Sequence, residues 1–380
     1  MKASLQIGRL LGIPIKIHIS FLLILPLFAL SFAFASTTLF GFTLGYGGLP
    51  IDALWQLILG LIAALLFFLA VLLHELAHSY VAVRNGYKIS GITLFLFGGV
   101  SEIESQPKDA PGEAFMAFVG PATSFAIGLG FLPVWYVLDH MIGLGWDIAA
   151  ITAGLTSFYN LLLGAFNILP AFPMDGGRVL RAVLAKRMGF TRATTIAVQV
   201  GKFSALIMAV LGFVFFNIWL ILIALFIYIG AGEEERGTMV SQALEGLTVG
   251  QVMTFPVSTM SPGDTIRDLL DRIMVEKHMG YPVADGDRLV GIVTLQDAQK
   301  VPVDQQNAVT VGSVMTTDVL TVTPNTPAME AIQAVSRNRI GRLVVMDQGR
   351  IAGIVSRSDL IRILEVRAAE QGAYPARLRQ

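Results

Sequence analysis

Apolar stretches near or above the 20 or so residues that cross a bilayer recur through the first 233 positions, and this recurrence commits the front of the chain to lipid. Spans are expected at 20–39, 54–82, 113–138, 147–169, 194–215 and 218–233, six in all. Charge follows the same division. Only 14% of the 380 residues are charged, against about 25% in an ordinary soluble protein. Residues 1–240 carry 13 basic and 12 acidic side chains, whereas residues 241–380 carry 14 and 15, so a membrane half precedes a soluble half. Lys+Arg and Asp+Glu balance at 27 each, which leaves no basic surface for nucleic acid. There is no cysteine, so a disulfide framework, a thiolate zinc site and a cysteine nucleophile are all excluded. Any metal must be held by His, Asp or Glu.

Residues 5–19 end in the alternating run Ile13-Pro14-Ile15-Lys16-Ile17-His18-Ile19, which predicts a short strand at the membrane surface. Met1, Lys2 and Ala33-Phe34-Ala35 fit a cleaved signal peptide, but a leader of about 19 residues that already reads as structured argues for retention. Basic residues in short loops set orientation. Residues 41–52 and 139–146 contain none and are expected outside. Arg84, Lys88 and Lys108 between spans two and three, and Arg178, Arg181, Lys186, Arg187 and Arg192 between spans four and five, are expected in the cytoplasm, together with both termini.

Span two contains His74-Glu75-Leu-Ala-His78 within otherwise hydrocarbon-like sequence. Each charge near the middle of a membrane helix costs about 2.5–3.5 kcal/mol on insertion scales, so something must offset it. Residues four apart share a helix face, and His74 and His78 can aim their rings at one cation. Glu75 lies beside that face, where a carboxylate can take a proton from water; the H-E-x-x-H arrangement is a zinc hydrolase signature. Two imidazoles leave zinc one protein ligand short. Span four ends in Asn167-Ile-Leu-Pro170-Ala-Phe-Pro173-Met-Asp175-Gly176-Gly177-Arg178, whose prolines break the helix. Spans two and four run in the same direction, which sets Asn167 and Asp175 at a depth similar to the histidines. Asp175 can complete the site. Read alone, Asp-Gly-Gly is also an ordinary turn with Arg178 as an interfacial anchor.

His74-Glu75-Leu-Ala-His78 followed by Asn-x-x-Pro-x-x-Pro-x-Asp-Gly resembles the site-2 protease family of intramembrane zinc metalloproteases, over about residues 5–232. The resemblance implies one Zn2+ per chain held by His74, His78 and Asp175, with Glu75 as general acid and base and Asn167 on the substrate backbone. Met174 stands where the family usually has Leu, a change between apolar side chains of similar volume. Phe97-Gly98-Gly99-Val100 and Gly120-Pro121 are also similar to the family. The first implies a sheet edge to which substrate adds as a strand, though Gly98-Gly99 alone equally reads as a hairpin turn. The absence of a PDZ-like insertion points to compact members. The expected substrate is a transmembrane protein in the lipid bilayer, cut after local unwinding.

From Leu247 a repeat appears at an offset of 62 residues. Thr248-Val-Gly-Gln-Val-Met253-Thr matches Thr310-Val-Gly-Ser-Val-Met315-Thr, and Leu289-Val-Gly-Ile-Val-Thr294-Leu-Gln-Asp297 matches Ile351-Ala-Gly-Ile-Val-Ser356-Arg-Ser-Asp359. Each copy predicts a strand, a helix (264–277 or 326–338), two strands split by Asp285-Gly286-Asp287 or Asp347-Gln348-Gly349, and a second helix. This pattern resembles a CBS domain pair, which implies adenine nucleotide (ATP, ADP or AMP) as regulator and a surface for homodimerisation. Asp297 and Asp359 would accept from ribose hydroxyls, and Thr294 and Ser356 would meet phosphate. The same Ser/Thr-x-x-Asp spacing is close to a pattern that merely caps a helix. Glu233-Glu234-Glu235-Arg236 reads as a solvated helix end.

The expected whole is a polytopic α-helical membrane protein of six transmembrane helices with short membrane-associated β segments, plus a C-terminal α/β CBS pair. The expected segments are a metalloprotease domain at 1–232, a linker at 233–246, CBS copies at 247–303 and 309–366, and a tail at 367–380. The expected setting is the cell membrane, with the active site toward the cytoplasm. A CBS-regulated transporter or channel would instead use His74, Glu75, His78 and Asp175 as an ion path. It predicts ion flux without proteolysis.

Overall fold

The computed structural model describes residues 4–95, 98–103, 110–142, 147–338 and 340–370. Phe97, Lys108, residues 143–146 of the third loop and most of the expected tail lie outside the described residues. Two compact units result, Met1–Arg236 and Gly237–Gln380.

The first unit opens with β1 (Ser4–Leu10) and β2 (Ile13–His18), so the expected single strand is an antiparallel hairpin. Then come α1 (Phe21–Phe34), the small hairpin of β3 (Thr38–Leu39) and β4 (Phe42–Thr43), and α2 (Ala53–Arg84). A second hairpin follows, β5 (Ile89–Phe95) and β6 (Gly98–Ile103). The helices α3 (Ala110–Val137), α4 (Asp147–Asn167), α5 (Asp175–Met188), α6 (Phe190–Val214) and α7 (Ile218–Ala243) complete the series. Among the described residues four helices are long and apolar enough to cross a membrane, beginning at Ala53, Gly112, Asp147 and Phe190. Helix α1 is shorter than the expected 20–39. At 14 residues it spans about 21 Å, because Thr37, Thr38 and Gly41 (φ 87°) turn the chain into a hairpin instead. Between spans four and five, where a basic loop was expected, α5 is helical and stops at Gly189 (φ 82°).

Helices that pack in lipid gain little from apolar burial against one another and depend on close fit. Gly60 of α2 lies on the α1 backbone at Ala29 and Ala33, and Ala63 and Ala64 are buried beside it. Phe28 stacks on Phe67 at 5.0 Å, and Phe32 meets Tyr159 edge-on at 5.1 Å, which joins α1, α2 and α4. The two early hairpins form one sheet in the order β1-β2-β5-β6, with β2 and β5 parallel through Ile15 opposite Ile92. Its inner face buries Ile13 and Ile92 against Leu76, and Leu94 against Phe68 and Val71, on the half of α2 that carries the histidines. Strand β6 is an edge.

Residues 233–243, expected to begin a linker, continue α7. The expected solvated helix end holds for Glu233 and Arg236, which are exposed, and is corrected for Glu234 and Glu235. Glu234 Oε1 accepts from the buried Arg181 at 2.7 Å and Glu235 Oε2 from Lys202 at 2.6 Å. A run of like charge at a helix end looks solvated in sequence, because the cations that neutralise it lie 33 and 53 residues away.

The second unit holds α8 (Val249–Val252), α9 (Ile266–Glu276), β7 (Gly280–Asp285), β8 (Arg288–Thr294) and α10 (Leu295–Ala298). The repeat then supplies α11 (Val311–Val314), β9 (Thr321–Val322), α12 (Ala328–Asn338), β10 (Arg342–Asp347), β11 (Arg350–Ser356) and α13 (Arg357–Glu370). Each copy's strands form an antiparallel pair, and β9 adds parallel to β10. The copies exchange their leading segments. Val249 and Val252 of the first are buried with Ala328, Leu343, Val345 and Val355 of the second, while Val311 of the second is buried with Ile266, Leu269 and Val283 of the first. Main-chain bonds seal the exchange: the Thr254 amide donates to the Ile354 carbonyl at 2.8 Å, and Thr316 and Ile292 trade bonds at 2.9 Å. Each core is therefore built from both repeats. Leu343→Ala, at a position with no exposure, should cost about 2–5 kcal/mol, read as a lower denaturant midpoint for the soluble unit's transition in the full-length protein.

Candidate metal centre

Helix α2 has 32 residues, so at 1.5 Å per residue His74 and His78 lie within its last 15 Å or so. Both rings are buried, at 3% and 8% exposure. The third group arrives from the loop after α4. Pro170 and Pro173 break the helix beyond Asn167, the chain folds back, and Asp175 starts α5, where a carboxylate is favoured at a helix N-terminus. The glycines that follow permit the fold-back. A Cβ on Gly176 would overlap the carbonyls of Ile168 and Leu169, and one on Gly177 would overlap the main chain at Ala171 and Phe172. The Asp-Gly-Gly turn is thus packed against its own approach loop.

Three atoms converge. Asp175 Oδ2 lies 3.1 Å from His74 Nε2 and 3.2 Å from His78 Nε2, and the two Nε2 atoms are 3.2 Å apart. The opposite edges of the rings are held: His78 Nδ1 lies 2.6 Å from the Met116 carbonyl oxygen and His74 Nδ1 lies 2.9 Å from Ser124 Oγ. A carbonyl only accepts, so His78 Nδ1 carries hydrogen and a neutral ring turns its Nε2 lone pair toward Asp175 and His74. Three polar atoms at such spacing must share a positive charge, either a proton on one Nε2 or a metal ion among them. Ligands about 2.0–2.1 Å from a tetrahedral zinc lie roughly 3.3 Å apart, and the observed triangle of 3.1–3.2 Å fits that ion. His74, His78 and Asp175 form a metal-capable group among the described residues.

Glu75, one residue from the first histidine, is half-buried and accepts at Oε2 from Ser101 Oγ at 2.7 Å. Ser79 Oγ in turn donates to Ser101 at 3.1 Å. Ser101 lies on β6, so the sheet edge and Glu75 are joined directly. Gly99, on the same strand, lets that edge approach: a Cβ there would overlap the Glu75 side chain. Gly120 does the same on the other side, since its Cβ would overlap both imidazoles. Asn167 is at the end of α4 with Nδ2 donating to its own helix at Leu163, 3.0 Å away. Among the described residues its side chain bonds Leu163 and not the three converging groups.

Sequence reasoning missed Ser101, Ser124 and the Met116 carbonyl. Main-chain acceptors carry no sequence signal. The serines follow Gly99 and Gly120-Pro121 by two and three residues, which in retrospect marks where strand and helix come closest to the site.

In the second unit the four expected residues pair among themselves. Thr294 Oγ1 and amide donate to Asp297 Oδ2 at 2.8 and 3.0 Å, and Ser356 Oγ and amide donate to Asp359 Oδ2 at 2.6 and 2.9 Å. These are helix-capping boxes. Burial of Asp297 pushes its carboxyl up, but hydrogen bonds from Lys300 (2.9 Å) and from Thr294 outweigh it and hold the group below the usual carboxylate range. It is therefore an acceptor at neutral pH.

Comparison with known proteins sets these groups in context. The chain matches Peptidase family M50 over residues 62–142 and 145–208 and the CBS domain over 249–304 and 311–366. A zinc metalloprotease of Methanocaldococcus jannaschii is 34% identical over 366 residues, 96% of this chain and 97% of that protein. Rip3 of Mycobacterium tuberculosis is 33% identical across 96% of this chain and 94% of its own length. The solved site-2 protease of M. jannaschii is 38% identical, covering 61% of this chain and 95% of that one, with a TM-score of 0.44. Identity of 34% to a zinc metalloprotease across 96% of the chain favours the enzyme over the transporter. The chain belongs to peptidase family M50, the site-2 proteases, as a membrane metalloendopeptidase with a C-terminal CBS domain pair.

Proposed function

We propose that the protein hydrolyses a peptide bond within or near a transmembrane segment of another membrane protein, at a zinc ion held by His74, His78 and Asp175. The observation that carries this reading is the triangle of two Nε2 atoms and one Oδ2, with edges of 3.1–3.2 Å. When bound, zinc polarises the scissile carbonyl and makes water acidic enough to attack near neutral pH. Glu75 takes the water proton as the new C–O bond forms and then delivers it to the leaving amine as the C–N bond breaks, so the proton is conserved. Ser101 holds the resting Glu75 carboxylate at 2.7 Å. A substrate helix hides its carbonyls, so it must unwind before attack. The unwound segment is taken to add to the edge strand β6, with Asn167 meeting its main chain.

The six-crossing arrangement adds α1 and α7 to the four long helices. It puts the termini and the basic residues near α5 in the cytoplasm, with the metal centre toward that side. The CBS pair is proposed to bind adenine nucleotide through Thr294, Asp297, Ser356 and Asp359 and so gate proteolysis, as a regulated intramembrane protease. Asp297, ionised and with Oδ2 bonded by Thr294 and Oδ1 by Lys300, would have to share these oxygens with the ribose hydroxyls. Pairing of two chains through this unit belongs to the same reading.

With a tagged membrane substrate co-expressed, Glu75→Gln should retain zinc and lower cleavage by about 10²–10⁴-fold, the usual range for a lost general base; cleavage at the wild-type rate rejects the role. Asp297→Ala combined with Asp359→Ala should abolish ATP and AMP binding by calorimetry and make cleavage indifferent to nucleotide. Unchanged binding removes both residues from the site.

A further inference from the structure

Among the described residues Arg181 is the largest fully buried side chain, at 1% exposure, although the positive-inside pattern casts it as a surface cation. Each of its three guanidinium nitrogens donates a hydrogen bond. Nε donates to Glu113 Oε1 at 2.8 Å, Nη2 donates to the same oxygen, and Nη1 donates to Glu234 Oε1 at 2.7 Å. The plane lies over the rings of Phe172 (4.8 Å) and Phe190 (4.6 Å). A charge withdrawn this far from solvent is costly unless paired and hydrogen-bonded, and replacing it with a hydrophobic residue is often neutral for stability. Its placement therefore calls for another account.

The partners supply one. Glu113 is on α3 in register with Met116, Gly120 and Ser124, positions three, seven and eleven residues on and so along one helix face. That face carries the Met116 carbonyl that bonds His78, the glycine against both imidazoles, and the hydroxyl that bonds His74. On the other side Arg181 belongs to α5, the helix that begins with Asp175, and it stacks on Phe172 in the loop that delivers Asp175. One side chain thus joins the helix that orients both imidazoles to the loop and helix that bring the carboxylate. Glu234 ties α7 to the same point.

We infer that Arg181 is a positioning residue, a clasp through Glu113 and Phe172 that sets Asp175 at ligating distance from the His74–His78 pair. The inference rests on the metal reading above. A planar fork that bonds two carboxylates while lying over two rings is specific to arginine. Lysine keeps the charge and loses the geometry.

The test uses the full-length protein in lipid nanodiscs. Zinc affinity is read by chelator competition and ligand geometry by the visible bands of the Co2+-substituted protein. Arg181→Lys and Glu113→Gln should bind zinc about ten- to a hundredfold more weakly, the range for lost outer-shell partners of metal ligands, with altered cobalt bands. Lys202→Met, which removes the 2.6 Å Lys202–Glu235 pair between α6 and α7, should match wild type in both and so separates the clasp from general helix packing. If Arg181→Lys does not fold, Glu113→Gln and Glu234→Gln carry the test, since each leaves Arg181 one carboxylate. Zinc affinity within twofold of wild type and unchanged cobalt bands in the folded variants overturn the clasp. Wild type that takes up no zinc, or His74→Ala that takes it up normally, overturns the metal reading itself.

Discussion

Two imidazole nitrogens and a carboxylate oxygen, withdrawn from solvent and 3.1–3.2 Å apart, need a shared positive charge, a proton or a metal ion, to sit together. Much of the membrane unit can be understood as meeting that demand. Helix α2 offers two rings one turn apart, α3 fixes their outer nitrogens, and the broken end of α4 returns the chain so that α5 opens on Asp175. Wherever elements must come closest, a glycine stands: Gly120 against the rings, Gly176 and Gly177 against the returning loop, Gly99 against Glu75.

The mixed sheet gives the site its direction. Its inner face packs on the half of α2 that bears the histidines, and its edge strand β6 brings Ser101 to the Glu75 carboxylate. An edge strand has unpaired main-chain groups that an extended peptide can satisfy. The same strand therefore both carries a free edge and touches the proposed base, so under the proposed function substrate addition and proton transfer would be neighbouring events.

In the soluble unit, packing crosses the repeat. Each copy's leading segment completes the other's core, so neither closes its apolar core with its own residues alone. The Thr294–Asp297 and Ser356–Asp359 pairs begin helices as capping boxes, which settles what the spacing does locally. A ribose contact through Asp297 or Asp359 would add to that structural duty.

The first half's lipid setting, the long helices at Ala53–Arg84, Asp147–Asn167 and Phe190–Val214, the repeat, and the candidacy of His74, Glu75, His78 and Asp175 were legible from local pattern. Hydropathy, a four-residue helical spacing and a 62-residue offset each report on neighbours along the chain or on simple repetition. Other features could not be read that way. Met116 acts through a carbonyl that every residue type shares, and Ser124 and Ser101 are common side chains made special by what faces them. The crossed cores follow from long-range packing, whereas the end of α1 at the Thr37–Gly41 turn and the extent of α5 up to Gly189 rest on local backbone signals that hydropathy does not weigh. Arg181 shows the limit most sharply, for its sequence neighbours mark it as an interfacial cation while its partners Glu113 and Glu234 lie 68 and 53 residues away. Sequence alone determined which groups were present and which of them shared a helix face; tertiary structure decided which charges were neutralised, because burial and pairing depend on distances in space that chain order does not encode.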